Sequence, residues 1–181
     1  MPAPLPLPAL TRALGADRAH LLPGAQPVVV LGVGSELRSD DAMGLHVARG
    51  VQASHLRNVH SIVGGTAPEN STGEIRSLHP SHVIIVDAAD LSASPGTIRV
   101  LDPREVSGAS FATHGLPLSV LAGYLSTEIG CRVTLIGIQP SSVSFGESLS
   151  PEAREATRSL VAALVDLLGE SGAVSEADQP D

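Results

Sequence analysis

Three aspartates and one histidine are the residues best suited to chemistry in this sequence: Asp40 and Asp41 side by side, Asp87, and His114. Two carboxylates with one imidazole make an open site for a divalent transition ion such as zinc, nickel or iron, with positions left for water or substrate. Asp40 and Asp41 follow the strand-like run Val28 to Gly32 in Leu31-Gly32-Val33-Gly34-Ser35-Glu36-Leu37-Arg38-Ser39-Asp40-Asp41-Ala42-Met43-Gly44. One helix cap needs one carboxylate. Ser39 or Asp40 can supply it, which leaves Asp41 to point into an open crevice, although capping alone also accounts for the pair. Asp87 is the first polar residue after Val83-Ile84-Ile85-Val86, a run apolar enough to be buried on both faces. His114, in Thr113-His114-Gly115-Leu116-Pro117-Leu118, precedes a helix whose start Pro117 marks. The other histidines fall in the leader (His20), on a helix (His46), or at helix ends and strand starts (His55, His60, His79, His82).

Other chemistries fit less well. Gly32-x-Gly34 opens like a dinucleotide-binding loop, but the sixth position is Leu37 and two aspartates follow, which would repel a pyrophosphate. No Gly-x-Ser-x-Gly elbow occurs, and Ser35 has no histidine partner evident in the sequence. Cys131 starts a strand at the edge away from the crevice and reads as a small core residue. The stretch Gly64-Gly65-Thr66-Ala67-Pro68-Glu69-Asn70 offers glycines for close backbone approach and Thr66, Glu69 and Asn70 as hydrogen-bonding groups for a bound main chain. Capping by Thr66 or Asn70 explains it equally well.

The elements that must position these groups alternate between β-branched runs and amphipathic segments, the pattern of βαβ units. Strands are expected at Val28 to Gly32, Val59 to Val63, Val83 to Val86, Thr97 to Leu101 and Arg132 to Ile138. Helices are expected at Met43 to Ser54, Asn70 to Leu78, Leu116 to Glu128 and Pro151 to Leu168, the last with Ser150 as its N-cap. The fold class is therefore α/β, a three-layer α/β/α sandwich around a mainly parallel twisted sheet of about five strands. Right-handed crossovers give the order 2-1-3, which makes the ends of the first and third strands the switch point where ligands bind. Asp41 and Asp87 belong there, with His114 approaching from a loop above.

Composition sets the outer bounds. The chain has 181 residues, 43% hydrophobic and 17% charged, with a formal net charge of -8. All 11 basic residues are arginine and only 2% of residues are aromatic, which disfavours nucleic acid as a partner. A single cysteine excludes a disulfide framework. No apolar run reaches the roughly 20 residues of a membrane span, and the prolines at the N-terminus do not make a signal peptide. The expectation is a cytoplasmic protein, monomeric when free, with a Pro-rich leader over 1–27, a working domain over 28–169 and an acidic tail over 170–181.

Taken together, Gly32-Val33-Gly34-x-x-Leu37-x-x-Asp40-Asp41-x-x-Gly44, Gly65-Thr66-Ala67-Pro68-Glu69-Asn70, Ile84-Ile85-Val86-Asp87-Ala88, Thr113-His114-Gly115-Leu116-Pro117-Leu118 and Leu135-Ile136-Gly137-Ile138-Gln139-Pro140 resemble the nickel-iron hydrogenase maturation endopeptidases, and most closely the hydrogenase 3 type. The resemblance runs from about Val28 to Leu168. It implies an endopeptidase that removes a C-terminal extension from a hydrogenase large-subunit precursor after nickel insertion. The family's metal ligands fall on Asp41, Asp87 and His114, and the resemblance implies that the nickel is carried by the precursor, with another divalent ion able to take its place in the isolated protein. Ser35 departs from the asparagine usual in the family's Gly-x-Gly-Asn. Two hydrolytic steps fit: a metal-polarised carbonyl attacked by activated water, or a carboxylate acting as general base on a positioned water.

Overall fold

Strand β1 (Val28–Val33) is buried along its whole length, as a β-branched run at the centre of a sheet must be. The computed structural model describes residues 26–102, 116–146 and 148–169. Residues 1–25 of the leader, the tail over 170–181 and His114 lie outside these residues. Beside β1 run β2 (Val59–Gly65), β3 (His82–Ala88), β4 (Ile98–Leu101) and β5 (Arg132–Ile138). They form one sheet in the order β2-β1-β3-β5-β4, parallel except for β4. The expected 2-1-3 order is present, and the antiparallel edge strand makes the sheet mixed.

Helix α1 (Met43–Ala53) and helix α4 (Pro151–Gly169) cover one face, α2 (Thr72–Leu78) and α3 (Leu118–Tyr124) the other. Alternation along the strands feeds both layers. Val28, Val30, Ile84 and Val86 meet Met43, Val47, Leu160 and Leu164, while Val29, Leu31, Val83 and Ile85 meet Ile75, Leu118, Leu121 and Leu125. Helices α1, α2 and α3 carry no side-chain cap, a device worth about 1 kcal/mol. Each fully buried Leu or Ile contributes about 1.5–3 kcal/mol, so packing holds these helices in place. Only α4 is capped as expected: Ala153 N–H donates to Ser150 Oγ at 3.2 Å.

Several boundaries differ from expectation. Asn70 belongs to a 3-10 turn, Pro68–Ser71, that leads into α2, because Pro68 fixes the entry to the turn. Leu116 and Pro117 precede α3, whose continuation over Leu125–Ile129 widens into a π-helical turn closed by Gly130 in the left-handed region. Thr97 lies just outside β4, held by a turn in which its hydroxyl donates to the Ser94 carbonyl at 2.6 Å. Gly64 and Gly65 lie inside β2, where the pairing slips between Gly32 and Val33. No helix among the described residues is long and apolar enough to cross a membrane.

Candidate active site

The turn Ser39–Ala42, a 3-10 segment, places Asp40 and Asp41 over the carboxyl ends of β1 and β3. Two glycines let it sit that low. A Cβ on Gly34 (φ +136°) would lie 1.8 Å from the Asp41 carbonyl oxygen, and one on Gly44 would lie 2.2 Å from the Val86 carbonyl oxygen. The glycine pattern that opens like a nucleotide loop thus packs an acidic turn onto two strand ends. This close packing corrects the expected open crevice: Asp41 and Asp87 are each only 2% exposed.

Asp87 is the penultimate residue of β3. Its Oδ1 accepts the Ala88 N–H at 2.8 Å, while Oδ2 is buried and has no hydrogen-bond partner among the described residues. Burial, followed by the charge of Asp41, pushes the Asp87 carboxyl well above the ordinary carboxylate range, against the smaller pull of the Ala88 N–H. An acid oxygen left without a donor in a low-dielectric pocket, beside a second carboxylate, attracts a cation or a proton.

The two neighbouring aspartates do different work, and the capping expectation needs correcting. Arg38 stands at the N-cap position of the 3-10 turn, and no side chain caps it. Asp40, fully buried, reaches away from its own helix to the segment after β5. It accepts from the Ser141 and Ser142 amides (2.8 and 3.3 Å), the Ser150 amide (2.7 Å) and the Ser150 hydroxyl (2.8 Å). Sequence reasoning missed this clamp. Its partners lie more than a hundred positions away, and the only local signal was a second aspartate that one cap does not require.

At the end of β2, Gly64 serves packing: a Cβ there would lie 2.8 Å from Leu31 Cδ1. Gly65 (φ +63°) opens on space that no described atom fills within 4 Å, although its carbonyl already accepts the Gly34 N–H at 3.0 Å. Thr66 and Asn70 are exposed, and neither the Pro68–Ser71 turn nor α2 takes a side-chain cap, so the capping explanation is not the one realised. Glu69 is half-buried, with Oε2 enclosed and unpartnered among the described residues.

The alternatives recede. Ser35 Oγ accepts the Leu37 amide at 3.3 Å in an exposed turn. Cys131 is buried, its thiol donates to the Leu125 carbonyl at 3.3 Å, and burial raises its pKa, all of which suit a core residue. His82, at the amino end of β3, is hydrogen-bonded to Thr134 Oγ1 at 2.8 Å. No three His, Cys, Asp or Glu side chains form a metal-holding group among the described residues, and the expected third member, His114, lies outside them.

The chain matches the family model described as hydrogenase maturation protease over residues 45–167, a stretch that includes Asp87 and His114 and starts just beyond Asp41. It is 35% identical over 145 residues to the hydrogenase 3 maturation protease of Escherichia coli K12, covering 80% of this chain and 92% of that one. Among solved structures, the hydrogenase maturation protease HycI of Thermococcus kodakarensis superposes with a TM-score of 0.74 at 30% identity, covering 85% of this chain and 99% of that one. A crystal structure of a hydrogenase 3 maturation protease gives 0.71 at 34% identity, covering 83% and 96%.

Proposed function

The chain belongs to the hydrogenase maturation protease family and is a peptidase, and from that premise we propose that it removes the C-terminal extension of a nickel-iron hydrogenase large-subunit precursor once nickel is in place. In this proposal Asp41, Asp87 and His114 recognise the nickel, which arrives as part of the substrate on the precursor's own ligands. The observation that carries the reading is the Asp87 Oδ2 atom, buried and without a donor among the described residues, beside the charge of Asp41. Two carboxylates enclosed at a switch point repel each other, and a divalent cation relieves both desolvation and repulsion.

The scissile carbonyl is set beside the aspartates by the binding of the precursor's metal centre. Water then attacks, either at a carbonyl polarised by the ion or with a carboxylate taking its proton. Gly65, Thr66, Glu69 and Asn70, at the open end of β2 or just beyond it, hold the main chain of the extension, and Gly64 lets that strand end pack tightly. The proposal also covers a working domain over 28–169, a cytoplasmic location and a monomeric free state. The lone buried thiol of Cys131 suits a reducing compartment.

The test is incubation of the purified chain with a nickel-loaded large-subunit precursor, read by mass spectrometry. The expected outcome is loss of a C-terminal peptide by the loaded precursor and an unchanged mass for the nickel-free one. Stable binding with no change of mass would make the chain a non-catalytic binding module.

A further inference from the structure

Strand β2 is one edge of the sheet, and over Val59–Gly65 it carries no charged residue and no proline. Its ladder to β1 uses alternate residues. Val28 N–H donates to the Asn58 carbonyl at 3.0 Å, and the parallel register then turns the amides and carbonyls of His60 and Ile62 towards β1. Those of Val59, Ser61 and Val63 point the other way and meet no partner among the described residues. The opposite edge is protected in the usual manner, since β4 has only four residues and includes Arg99. A seven-residue edge with neither device is a template for another strand.

We propose that the C-terminal extension of the precursor adds to β2 as a sixth strand, antiparallel to it and hydrogen-bonded to Val59, Ser61 and Val63. The inference rests on the function proposed above and gives the extension its conformation, direction and register. Only an extended main chain offers donors and acceptors at the spacing of such a row, so the chemistry selects a peptide. The row also leads to the candidate site. At the carboxyl end of β2 the Gly65 carbonyl holds the Gly34 amide at 3.0 Å, and a Cβ on Gly34 would collide with the Asp41 carbonyl oxygen. The open space beside Gly65 leaves room for a chain to pass from the site to the edge, and Val63, 41% exposed, offers an apolar side chain next to that passage. A second copy of the chain could satisfy the same backbone groups, but a row that ends at Asp41 calls for the peptide that is cut there. Because β2 runs towards the sheet end that bears Asp41 and Asp87, an extension leaving the site runs down β2 in the opposite direction. Three strand spacings, about 14 Å, separate the added strand from β3, so about four extended residues cover the gap and pairing starts near the fifth.

Two measurements test this. A nickel-loaded precursor trimmed to about four residues beyond the scissile bond should be cut with KM raised about tenfold or more and kcat within about twofold, because the strand-forming part is gone and the reacting groups are untouched. Amide exchange followed by NMR in Asp41→Asn, alone and with the full-length nickel-loaded precursor, reads the edge residue by residue. The Val59, Ser61 and Val63 amides should exchange rapidly in the chain alone and at least about tenfold more slowly in the complex. Bound precursor without added protection at these amides overturns the inference, as does an unchanged KM for the trimmed precursor; the processing role stands in both cases if the full-length precursor is cut. Protection already present in the chain alone also overturns it, with the chain itself covering the edge if protection is independent of concentration and a second copy covering it if not. A precursor that protects these amides but is never cut by the parent chain upholds the edge and overturns the processing role.

Discussion

A carboxylate enclosed beside another carboxylate is destabilising unless a proton or a cation joins them, and Asp87 is in that position. Its pKa is raised, so the folded chain holds the Asp87 proton more tightly than the unfolded chain does. The stability associated with that proton is fully present below the ordinary carboxylate range. It is lost as pH rises through the folded value. Asp87→Asn removes the ionisation while keeping an oxygen for the Ala88 amide. In the metal-free protein the variant should gain stability over the parent as pH rises through the raised folded value of Asp87, and the two should converge near pH 4. It should also lose cleavage. Urea unfolding across that pH range checks the first claim, and parallel curves for the two proteins would refute it. A site kept at the expense of stability is the signature expected of function.

Among the elements, the acidic turn and the segment after β5 behave as one piece because Asp40 joins them. Removing its carboxylate breaks part-buried hydrogen bonds from the Ser141, Ser142 and Ser150 amides and from the Ser150 hydroxyl that caps α4. Asp40→Ala should therefore cost about 3 kcal/mol, whereas Asp41→Asn, one residue on and nearly isosteric, should stay within about 1 kcal/mol of the parent while abolishing cleavage. Equilibrium unfolding of the two variants side by side checks the division of labour. An equal loss in both would make Asp41 a structural residue like its neighbour. The glycines belong to this scale too. Gly34 and Gly44 allow the turn to touch the strand ends, and larger residues there would lift Asp41 away from Asp87.

For the whole molecule, the sheet grades from a central strand buried at every position, β3, to a four-residue antiparallel edge, β4. Hydrogen exchange should follow that gradient, with β3 amides opening only on global unfolding and β4 amides exchanging first. A β3 that exchanges as fast as β4 would contradict it. The order of elements, the 2-1-3 crossover, the layers and the cap at Ser150 were all legible in the sequence, because hydrophobic period and cap chemistry are local and alternation leaves few topologies open. The same locality singled out Asp41 and Asp87 as acids at strand ends. What the sequence could not show was the burial of those acids, the partners of Asp40 and the bridge between Arg38 and Gly146. Each depends on contacts between segments some forty to more than a hundred residues apart, brought together only when the glycines let the turn settle onto the sheet. The sequence by itself determined which residues stand at the switch point. Tertiary packing decided which of them are desolvated, because the field a carboxylate feels is set by its neighbours in space.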